Sequence, residues 1–227
     1  MKAMLLAAGR GERLRPLTDS VPKALVQAAG KPLIVRHLER LAAAGCREAV
    51  INVSHLGEKV IDALGDGRRY GMALAYSREP QPLETAGGIA HALPLLGAAP
   101  FLLVNADVYC EADFRALMAR GLDGPLAHLL LVPNPPHRAD GDFALERGLV
   151  RNTGTPRYTY AGVALVSPQL VASVRAGEKA PLAPLLRAAA ERNLLSGELY
   201  GGRWQDVGTV ERLAELEAWL KTTHEYR

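Results

Sequence analysis

The sequence predicts an α/β fold: a doubly wound, mixed but mostly parallel sheet with helices on both faces. Short apolar runs, such as residues 101–104 and 127–132, recur without strict alternation of apolar and polar positions. Amphipathic stretches, such as residues 32–44, separate them. Apolar strands that alternate with helices are typical of a parallel sheet covered on both faces. Functional side chains are expected at the carboxyl ends of such strands.

The spacing of apolar residues, together with the glycines and prolines between them, defines the individual elements. Pro32 begins an amphipathic helix that Gly45 ends, and Arg147 with Gly148 forms the turn of a small hairpin. Residues 9–29 form a loop too long for a simple connection, which favours a functional role. The predicted strands are residues 1–7, 49–53, 72–76, 101–104, 127–132, 143–146, 149–151 and 158–166. The predicted helices are residues 32–44, 58–64, 85–96, 114–120, 184–192 and 209–221.

The composition excludes several classes of protein. The chain has 227 residues, of which 48% are hydrophobic, and a net charge of +3, which suits a globular protein with a packed core. The sequence has no Lys/Arg run with aromatic residues for stacking, so we expect no nucleic-acid partner. It has no run of about 20 apolar residues, so we expect no membrane span. The first apolar run is too short for a signal peptide, and the two cysteines are expected as buried thiols in the cytoplasm.

A glycine-containing loop follows the first predicted strand. Gly9 and Gly11 lack Cβ atoms, so their amides can approach phosphate oxygens closely. Arg13 adds a guanidinium suited to bidentate phosphate contact, and Lys23 adds a compact positive charge. The loop is not a Walker A motif, and Leu14 stands where a Rossmann fingerprint needs its third glycine. The combination predicts a triphosphate site in which charge on a leaving pyrophosphate is stabilised.

Two aspartates are candidates for a metal site. Asp107 comes just after the apolar strand 101–104, where a doubly wound sheet faces its ligand. Mg²⁺ prefers one or two carboxylates together with phosphate oxygens and water, so we expect Asp107 to bind Mg²⁺. Asp206 lies in the segment Trp204-Gln205-Asp206-Val207-Gly208-Thr209, and its local pattern alone favours a plain turn residue. Thr209 is expected to cap the C-terminal helix.

These segments resemble the sugar nucleotidyltransferase family. That family's signature runs from an apolar strand through Gly-x-Gly-Thr/Ser-Arg-Leu/Met-x-Pro-Leu-Thr to Pro-Lys, and Arg13 and Lys23 match it. Glu12 departs from the usual Thr or Ser, and Ala106 stands where the family has Gly before the metal aspartate. Residues 204–209 resemble a second family segment, Trp-x-Asp-Val-Gly-Thr, whose aspartate completes the metal site.

The resemblance implies a GT-A-like, Rossmann-like fold and one domain over residues 1–227. Residues 1–133 would be its nucleotide-binding half, and residues 134–227 its sugar-binding half with the C-terminal helix. Mg²⁺ is the implied cofactor, with Asp107 and Asp206 as ligands, and the implied catalytic residues are Arg13, Lys23 and Asp107. The implied nucleotide contacts are Leu6, Ala8, Gly9, Gly11, Glu12, Arg13, Lys23, Glu84, Thr85, Gly88 and Asn105. The implied sugar contacts are Asp107, Gly141, Asp142, Tyr160 and Gly162.

The implied base site is the Pro- and Gly-rich junction at residues 79–88. Small residues at 86–88 would let a flat base lie against the backbone, and Glu84 or Thr85 would read it. Thr85 is also expected to cap the helix that follows. A capped helix with no ligand is the alternative. Tyr160 could equally be plain strand packing.

Several stretches resemble one subgroup of the family, the N-acetylmuramate α-1-phosphate uridylyltransferases of cell-wall (peptidoglycan) recycling. They are residues 1–13, 65–67, 82–85, 101–105, 141–143 and 204–209. The resemblance implies UTP and a sugar 1-phosphate as substrates and a monomer or small homo-oligomer. Guanylyl transfer to mannose 1-phosphate, or cytidylyl transfer to another phosphorylated small molecule, would use the same scaffold. A catalytically silent regulatory relative is the alternative of a different class.

Overall fold

The strands and helices alternate along most of the chain, and the computed structural model describes residues 1–224. The strands are β1 (Ala3–Leu6), β2 (Gln27–Ala28), β3 (Lys31–Pro32), β4 (Glu48–Val53), β5 (Ala73–Arg78), β6 (Phe101–Asn105), β7 (Val108–Cys110), β8 (Ala127–Val132), β9 (Phe143–Glu146), β10 (Leu149–Arg151), β11 (Arg157–Val166), β12 (Leu195–Leu199) and β13 (Trp204–Asp206). The α-helices are α1 (Leu17–Ser20), α2 (Leu33–Ala43), α3 (Gly57–Leu64), α4 (Glu84–Leu96), α5 (Phe114–Arg120), α6 (Ala183–Glu191) and α7 (Val210–His224).

A nine-stranded sheet in the order β5-β4-β1-β6-β11-β8-β12-β10-β9 forms the centre of the molecule. Strands β5, β4, β1 and β6 pair in parallel, and β11 runs antiparallel between β6 and β8. β12 then pairs in parallel with β8, and the β9–β10 hairpin forms the far edge. The predicted mixed, mostly parallel, doubly wound α/β sheet is confirmed.

Helices cover both faces of this sheet, as predicted. On one face, Ile34 and Leu38 of α2 pack in a cluster with Leu5 of β1. On the other face, Ile89 of α4 packs in a cluster with Leu103 of β6. Burying a side chain of this size stabilises a fold by about 1.5–3 kcal/mol. The sheet edge that carries the site is therefore supported from both sides.

Several short elements of the structure were not predicted from the sequence, among them four strands of two or three residues, β2, β3, β7 and β13. In the part of the chain that the structure describes, β2 pairs only with β3, and β7 only with β13, so each strand makes just two or three residue pairs. β12 has an exposed polar end at Glu198, so it lacks the continuous apolar pattern that marks the other strands. The predicted loop at residues 9–29 contains α1 and two 3₁₀ turns, Glu12–Leu14 and Lys23–Leu25.

Helix α7 closes the described chain against the N-terminal part of the molecule. Leu216 and Leu220 are buried in a small cluster with Leu33 and Tyr109. The Thr209 hydroxyl oxygen accepts a hydrogen bond from the Arg212 amide at 3.4 Å, which confirms the predicted cap. Among residues 1–224, no helix combines the length and the apolar character that crossing a membrane requires.

Candidate active site

The carboxyl ends of three parallel strands meet at one edge of the sheet. Leu6, the last residue of β1, pairs in register with Asn52 of β4 and with Asn105 of β6. The loops that follow these strands surround a first cavity of about 330 Å³. Its lining includes Leu6–Gly9, Gly11, Lys23, Asn52, Glu79, Glu84, Thr85, Asn105 and Asp107.

A buried polar network lies in the wall of the first cavity, and the sequence did not reveal it. The Asn52 side-chain oxygen accepts a hydrogen bond from the Ala7 amide at 2.8 Å. Its side-chain nitrogen donates to Glu79 Oε1 at 2.6 Å, and Glu79 Oε2 accepts from the Leu83 amide at 2.9 Å. Asn52 is only 3% exposed and Glu79 only 5%. The network therefore ties the start of the glycine loop to the start of α4.

Gly88 is a glycine because this network leaves no space beside it. A Cβ at Gly88 would lie 2.7 Å from Glu79 Oε1 and 2.9 Å from Nδ2 of the Asn52 side chain. Gly88 does not line the first cavity. Gly88 therefore leaves room for the Glu79 carboxylate from behind the wall of the first cavity.

The glycine loop also borders a second cavity, of about 850 Å³. Gly11 has a left-handed φ of 67°, and a Cβ there would lie 2.9 Å from the Thr18 side chain, so this position requires glycine. Four cationic side chains line the cavity: Arg10, Arg13, Lys23 and Lys179. Glu12 and Glu84 also line it, so positive charge is in excess.

Lys23 and Asp107 meet at the boundary between the glycine loop and the sheet. The Lys23 ammonium forms a hydrogen-bonded ion pair with Asp107 Oδ2. The Lys23 side chain is 13% exposed, whereas Asp107 is 34% exposed. Gly162 of β11 lies against Asn105, because a Cβ at Gly162 would be 2.7 Å from the Asn105 amide nitrogen. Lys23 of the glycine loop thus shares the first cavity with two predicted site residues from a distant segment, Asn105 and Asp107.

Asp206 lies on the strand next to Asp107, but its side chain lines a different cavity. β13 pairs with β7, and the Val207 amide donates a hydrogen bond to the Asp107 carbonyl at 2.8 Å. The Asp206 carboxylate accepts two hydrogen bonds from Arg212, both of 2.6 Å, and lies 3.2 Å from His137 Nε2. It lines a third cavity of about 650 Å³.

Asp107, just before β7, and Asp206, on the paired strand β13, together supply the one or two carboxylates that Mg²⁺ takes with phosphate oxygens. Within residues 1–224, no group of three or more His, Cys, Asp or Glu side chains is arranged to hold a metal by itself. A metal at Asp107 would therefore need oxygens from the substrate. The Asp206 carboxylate would first have to leave Arg212.

Three of the predicted sugar residues, Gly141, Asp142 and Tyr160, form a second group, whereas Asp107 lines the first cavity and Gly162 packs against Asn105. Asp142 Oδ2 accepts a hydrogen bond from the Tyr160 amide at 2.8 Å and from Arg138 at 3.2 Å. Gly141 has a left-handed φ of 62° and packs against Asn134. The Tyr160 hydroxyl is buried without a hydrogen-bond partner among the described residues, and burial raises its pKa. Gly141, Asp142, Tyr160 and Gly162 line neither the first nor the second cavity.

The start of α4 corrects one prediction. Thr85 does not cap the helix, because α4 begins one residue earlier, at Glu84, and no side chain caps it. The amides of Ala86 and Gly87 donate instead to the Ala180 carbonyl, at 3.0 and 3.1 Å. Glu84 has an unusual left-handed φ of 61° and lines both the first and the second cavity.

The structure thus gathers most of the predicted nucleotide contacts around two adjoining cavities. The first holds Leu6, Ala8, Gly9, Gly11, Lys23, Glu84, Thr85 and Asn105, and the second adds Glu12 and Arg13. Asn52 and Lys179 are cavity residues that the sequence did not indicate, and Glu79 was indicated only as the first residue of the 79–88 junction. The loop segments and strand ends that supply them are typical of a site for a nucleotide and its phosphates.

A doubly wound sheet with a glycine loop after β1 and an aspartate after β6 is the arrangement expected of a nucleotidyltransferase. The chain belongs to that family, because the nucleotidyl transferase family model matches residues 2–137. The resemblance drawn from the sequence is thereby confirmed, and the chain is an enzyme of this class.

Two relatives match the chain over nearly its full length. The N-acetylmuramate alpha-1-phosphate uridylyltransferase of Neisseria meningitidis serogroup B is 53% identical over 225 residues, which cover 96% of this chain and 97% of that protein. A Caulobacter vibrioides protein of the same name is 35% identical, with 96% of each chain covered. The mannose-1-phosphate guanylyltransferase catalytic subunit beta of Drosophila pseudoobscura pseudoobscura is 30% identical over 91% of this chain but only 59% of its own length.

Solved structures support the fold. A Bacillus anthracis protein assigned as a glucose-1-phosphate thymidylyltransferase superposes with a TM-score of 0.85 over 96% of this chain and 94% of its own, at 18% identity. HddC from Yersinia pseudotuberculosis, complexed with GMP-PN, gives a TM-score of 0.77 over 96% of this chain and 99% of its own, at 19% identity.

Proposed function

We propose that this enzyme joins UTP to N-acetylmuramate α-1-phosphate and forms UDP-N-acetylmuramate and pyrophosphate. The observation that carries the proposal is the 53% identity to the Neisseria uridylyltransferase over 97% of that protein's length. The match to the Drosophila guanylyltransferase is weaker and spans 59% of that protein. The reaction would serve peptidoglycan recycling in the cytoplasm, with Mg²⁺ as cofactor.

The proposed chemistry is one in-line displacement. An oxygen of the sugar phosphate attacks the α-phosphorus of UTP, and the bond from that phosphorus to the bridging oxygen of the β-phosphate breaks. The leaving pyrophosphate keeps the electron pair of that bond. The sugar phosphate is already anionic near pH 7, so it needs no general base. Positioning and charge stabilisation remain as the enzyme's work.

The residues that line the two cavities are suited to that work. Arg13 and Lys23 would counter the repulsion between the two phosphates, and the amides of Gly9 and Gly11 would hold the leaving pyrophosphate. When bound at Asp107 and Asp206, Mg²⁺ would add further neutralisation of phosphate charge. Gly141, Asp142, Tyr160 and Gly162 would face the sugar.

The base would lie at the start of α4, in the first cavity. Glu84 and Thr85 line this cavity, with Asn105 across from them at the end of β6. The buried pair of Asn52 and Glu79 fixes the shape of this wall. Gly88 would lie behind that wall and leave room for the Glu79 and Asn52 side chains.

A matrix of substrates tests the proposal. Pyrophosphate release is measured from UTP, GTP and CTP with the 1-phosphates of N-acetylmuramate, N-acetylglucosamine and mannose. We expect the highest kcat/KM for UTP with N-acetylmuramate 1-phosphate. The Lys23→Ala variant, purified in the same way, controls for contaminating activity. Equal kcat/KM for the muramate and glucosamine acceptors, or a preference for GTP with mannose 1-phosphate, would refute the assignment.

A further inference from the structure

Lys179 lines the second cavity, and the reaction proposed above assigns no role to its positive charge. It precedes α6, in a segment remote in sequence from the glycine loop. Its ammonium nitrogen lies 3.4 Å from Glu84 Oε1. The side chain is 63% exposed, so this single ion pair is weak and easily exchanged.

The backbone beside Lys179 is fixed on the start of α4. The Ala180 amide donates to the Leu83 carbonyl at 3.0 Å, and the Ala180 carbonyl accepts the amides of Ala86 and Gly87. A Cβ at Gly87 would collide with the Glu178 carbonyl, so only glycine permits this close approach. Lys179 therefore has an exposed side chain on a hydrogen-bonded backbone and lines the second cavity.

The charges of the second cavity favour a polyanion. Arg10, Arg13, Lys23 and Lys179 line it with only two carboxylates, Glu12 and Glu84. Lys23 already pairs with Asp107, and Lys179 pairs with Glu84. A cavity lined by an excess of one charge raises the local concentration of the opposite ion.

We propose that Lys179 binds the β- and γ-phosphates of the nucleotide and the pyrophosphate that leaves, and that Glu84 is its resting partner. The ammonium exchanges one carboxylate oxygen of Glu84 for oxygens of a more highly charged anion. Because Glu84 also lines the first cavity, the exchange frees its carboxylate on the side where the base would lie. The inference rests on the proposed reaction only in that pyrophosphate is its leaving group.

The test is the equilibrium binding of inorganic pyrophosphate to the full chain, measured by isothermal titration calorimetry without nucleotide or sugar. We expect Lys179→Ala to raise the Kd for pyrophosphate about fivefold, the upper range for one exposed charge pair. Lys179→Glu should raise it further, and Lys179→Arg should retain most of the affinity. High salt should reduce the difference, because exposed charges are screened.

Lys31→Ala is the matched control, because Lys31 is also an exposed lysine paired with a glutamate, Glu39, and lines none of the three cavities. It removes the same charge and should leave the Kd within about twofold of the wild type. Thermal unfolding checks that each variant is folded. The proposal is wrong if the wild type shows no binding, if Lys179→Ala keeps the wild-type Kd, or if Lys31→Ala weakens binding equally. None of these outcomes depends on which base or sugar the enzyme uses.

Discussion

Lys23 is the least exposed of the four cations that line the second cavity. Its side chain is 13% exposed and pairs with Asp107, which leaves its ammonium between the glycine loop and the end of β6. We expect Lys23→Ala to lower kcat by about 10²–10³-fold, the usual loss for one preorganised donor. Lys23→Arg should restore little, because a planar guanidinium does not replace a compact charge.

Single-turnover kinetics with thermal unfolding test this expectation. The melting temperature should change little, because Asp107 remains 34% exposed to water when its partner is removed. A Lys23→Ala enzyme with kcat within about tenfold of the wild type would contradict a role in the chemical step.

Gly88 can be tested without touching a cavity-lining residue. In Gly88→Ala the new methyl group would lie 2.7 Å from Glu79 Oε1, so the buried bond between Glu79 and Asn52 must shift. We expect the free energy of unfolding to fall by about 1–3 kcal/mol, as for overpacked cores, and the KM for the nucleotide to rise. Gly201→Ala is the control, since its Cβ would meet nothing within 4 Å and Gly201 lines only the third cavity, neither of the two proposed to hold the nucleotide. Urea unfolding and steady-state kinetics measure both effects, and an unchanged KM would exclude this network from nucleotide binding.

Residues of the site differ in how far the sequence could predict them. Arg13, Lys23 and Asp107 lie in segments with their own local pattern, a glycine loop or the end of an apolar strand. Asn52 and Glu79 lie 27 residues apart in the sequence. They form their hydrogen bond only because β4, which contains Asn52, and β5, which Glu79 follows, end side by side. No periodicity or spacing in the sequence predicts this contact, because it results from the parallel pairing of β4 and β5.

The short β7–β13 strand pair determines where Asp206 lies. It brings Asp206 beside Val108, the neighbour of Asp107. We expect Asp206→Ala to lower turnover by at least about 10²-fold and to weaken Mn²⁺ binding, measured by electron paramagnetic resonance. Glu215→Gln changes a carboxylate of the same third cavity and should leave both intact. Near-normal turnover in Asp206→Ala would exclude the two-carboxylate site.

Four elements were predicted to the residue, whereas the β2–β3 and β7–β13 pairings were missed. α5, β8 and the hairpin of β9 and β10 have the predicted bounds, because apolar runs and turn residues mark their ends. β7 and β13 are stabilised by each other and by the Val207–Asp107 backbone bond. Three-residue strands have too little sequence to show a period. β10 was predicted because Arg147 and Gly148 mark its hairpin turn, whereas β7 and β13 have no turn between them and are defined only by tertiary contacts.

The stability of the whole molecule should depend on pH through His37. This histidine of α2 is buried, and its Nε2 donates to the Val108 carbonyl at 2.7 Å. Burial lowers its pKa from 6.5 to about 4, since a charged ring would lose its hydration. The unfolded chain therefore binds a proton that the folded chain does not bind between these values. The associated stability is complete above pH 6.5 and is lost as the pH falls towards 4.

Urea unfolding across this range measures the effect. We expect the wild type to lose about 3 kcal/mol between pH 6.5 and pH 4 through this residue. His37→Gln retains an amide donor for the Val108 carbonyl but cannot titrate, so its decline should be shallower. His55→Gln changes an exposed histidine and should behave like the wild type. Parallel pH curves for all three proteins would contradict the assignment.

The position of β11 has a consequence for how the chain is made. β11 lies between β6 and β8, although both of those strands precede it in the sequence. A ribosome therefore releases β6 and β8 before the strand that separates them exists, and both expose apolar edges meanwhile. Unpaired edges of this kind recruit other chains, so the nascent protein is most exposed to aggregation until residue 166 has emerged. Slow synthesis across residues 133–166 would prolong that interval, and a chaperone that covers strand edges would act there.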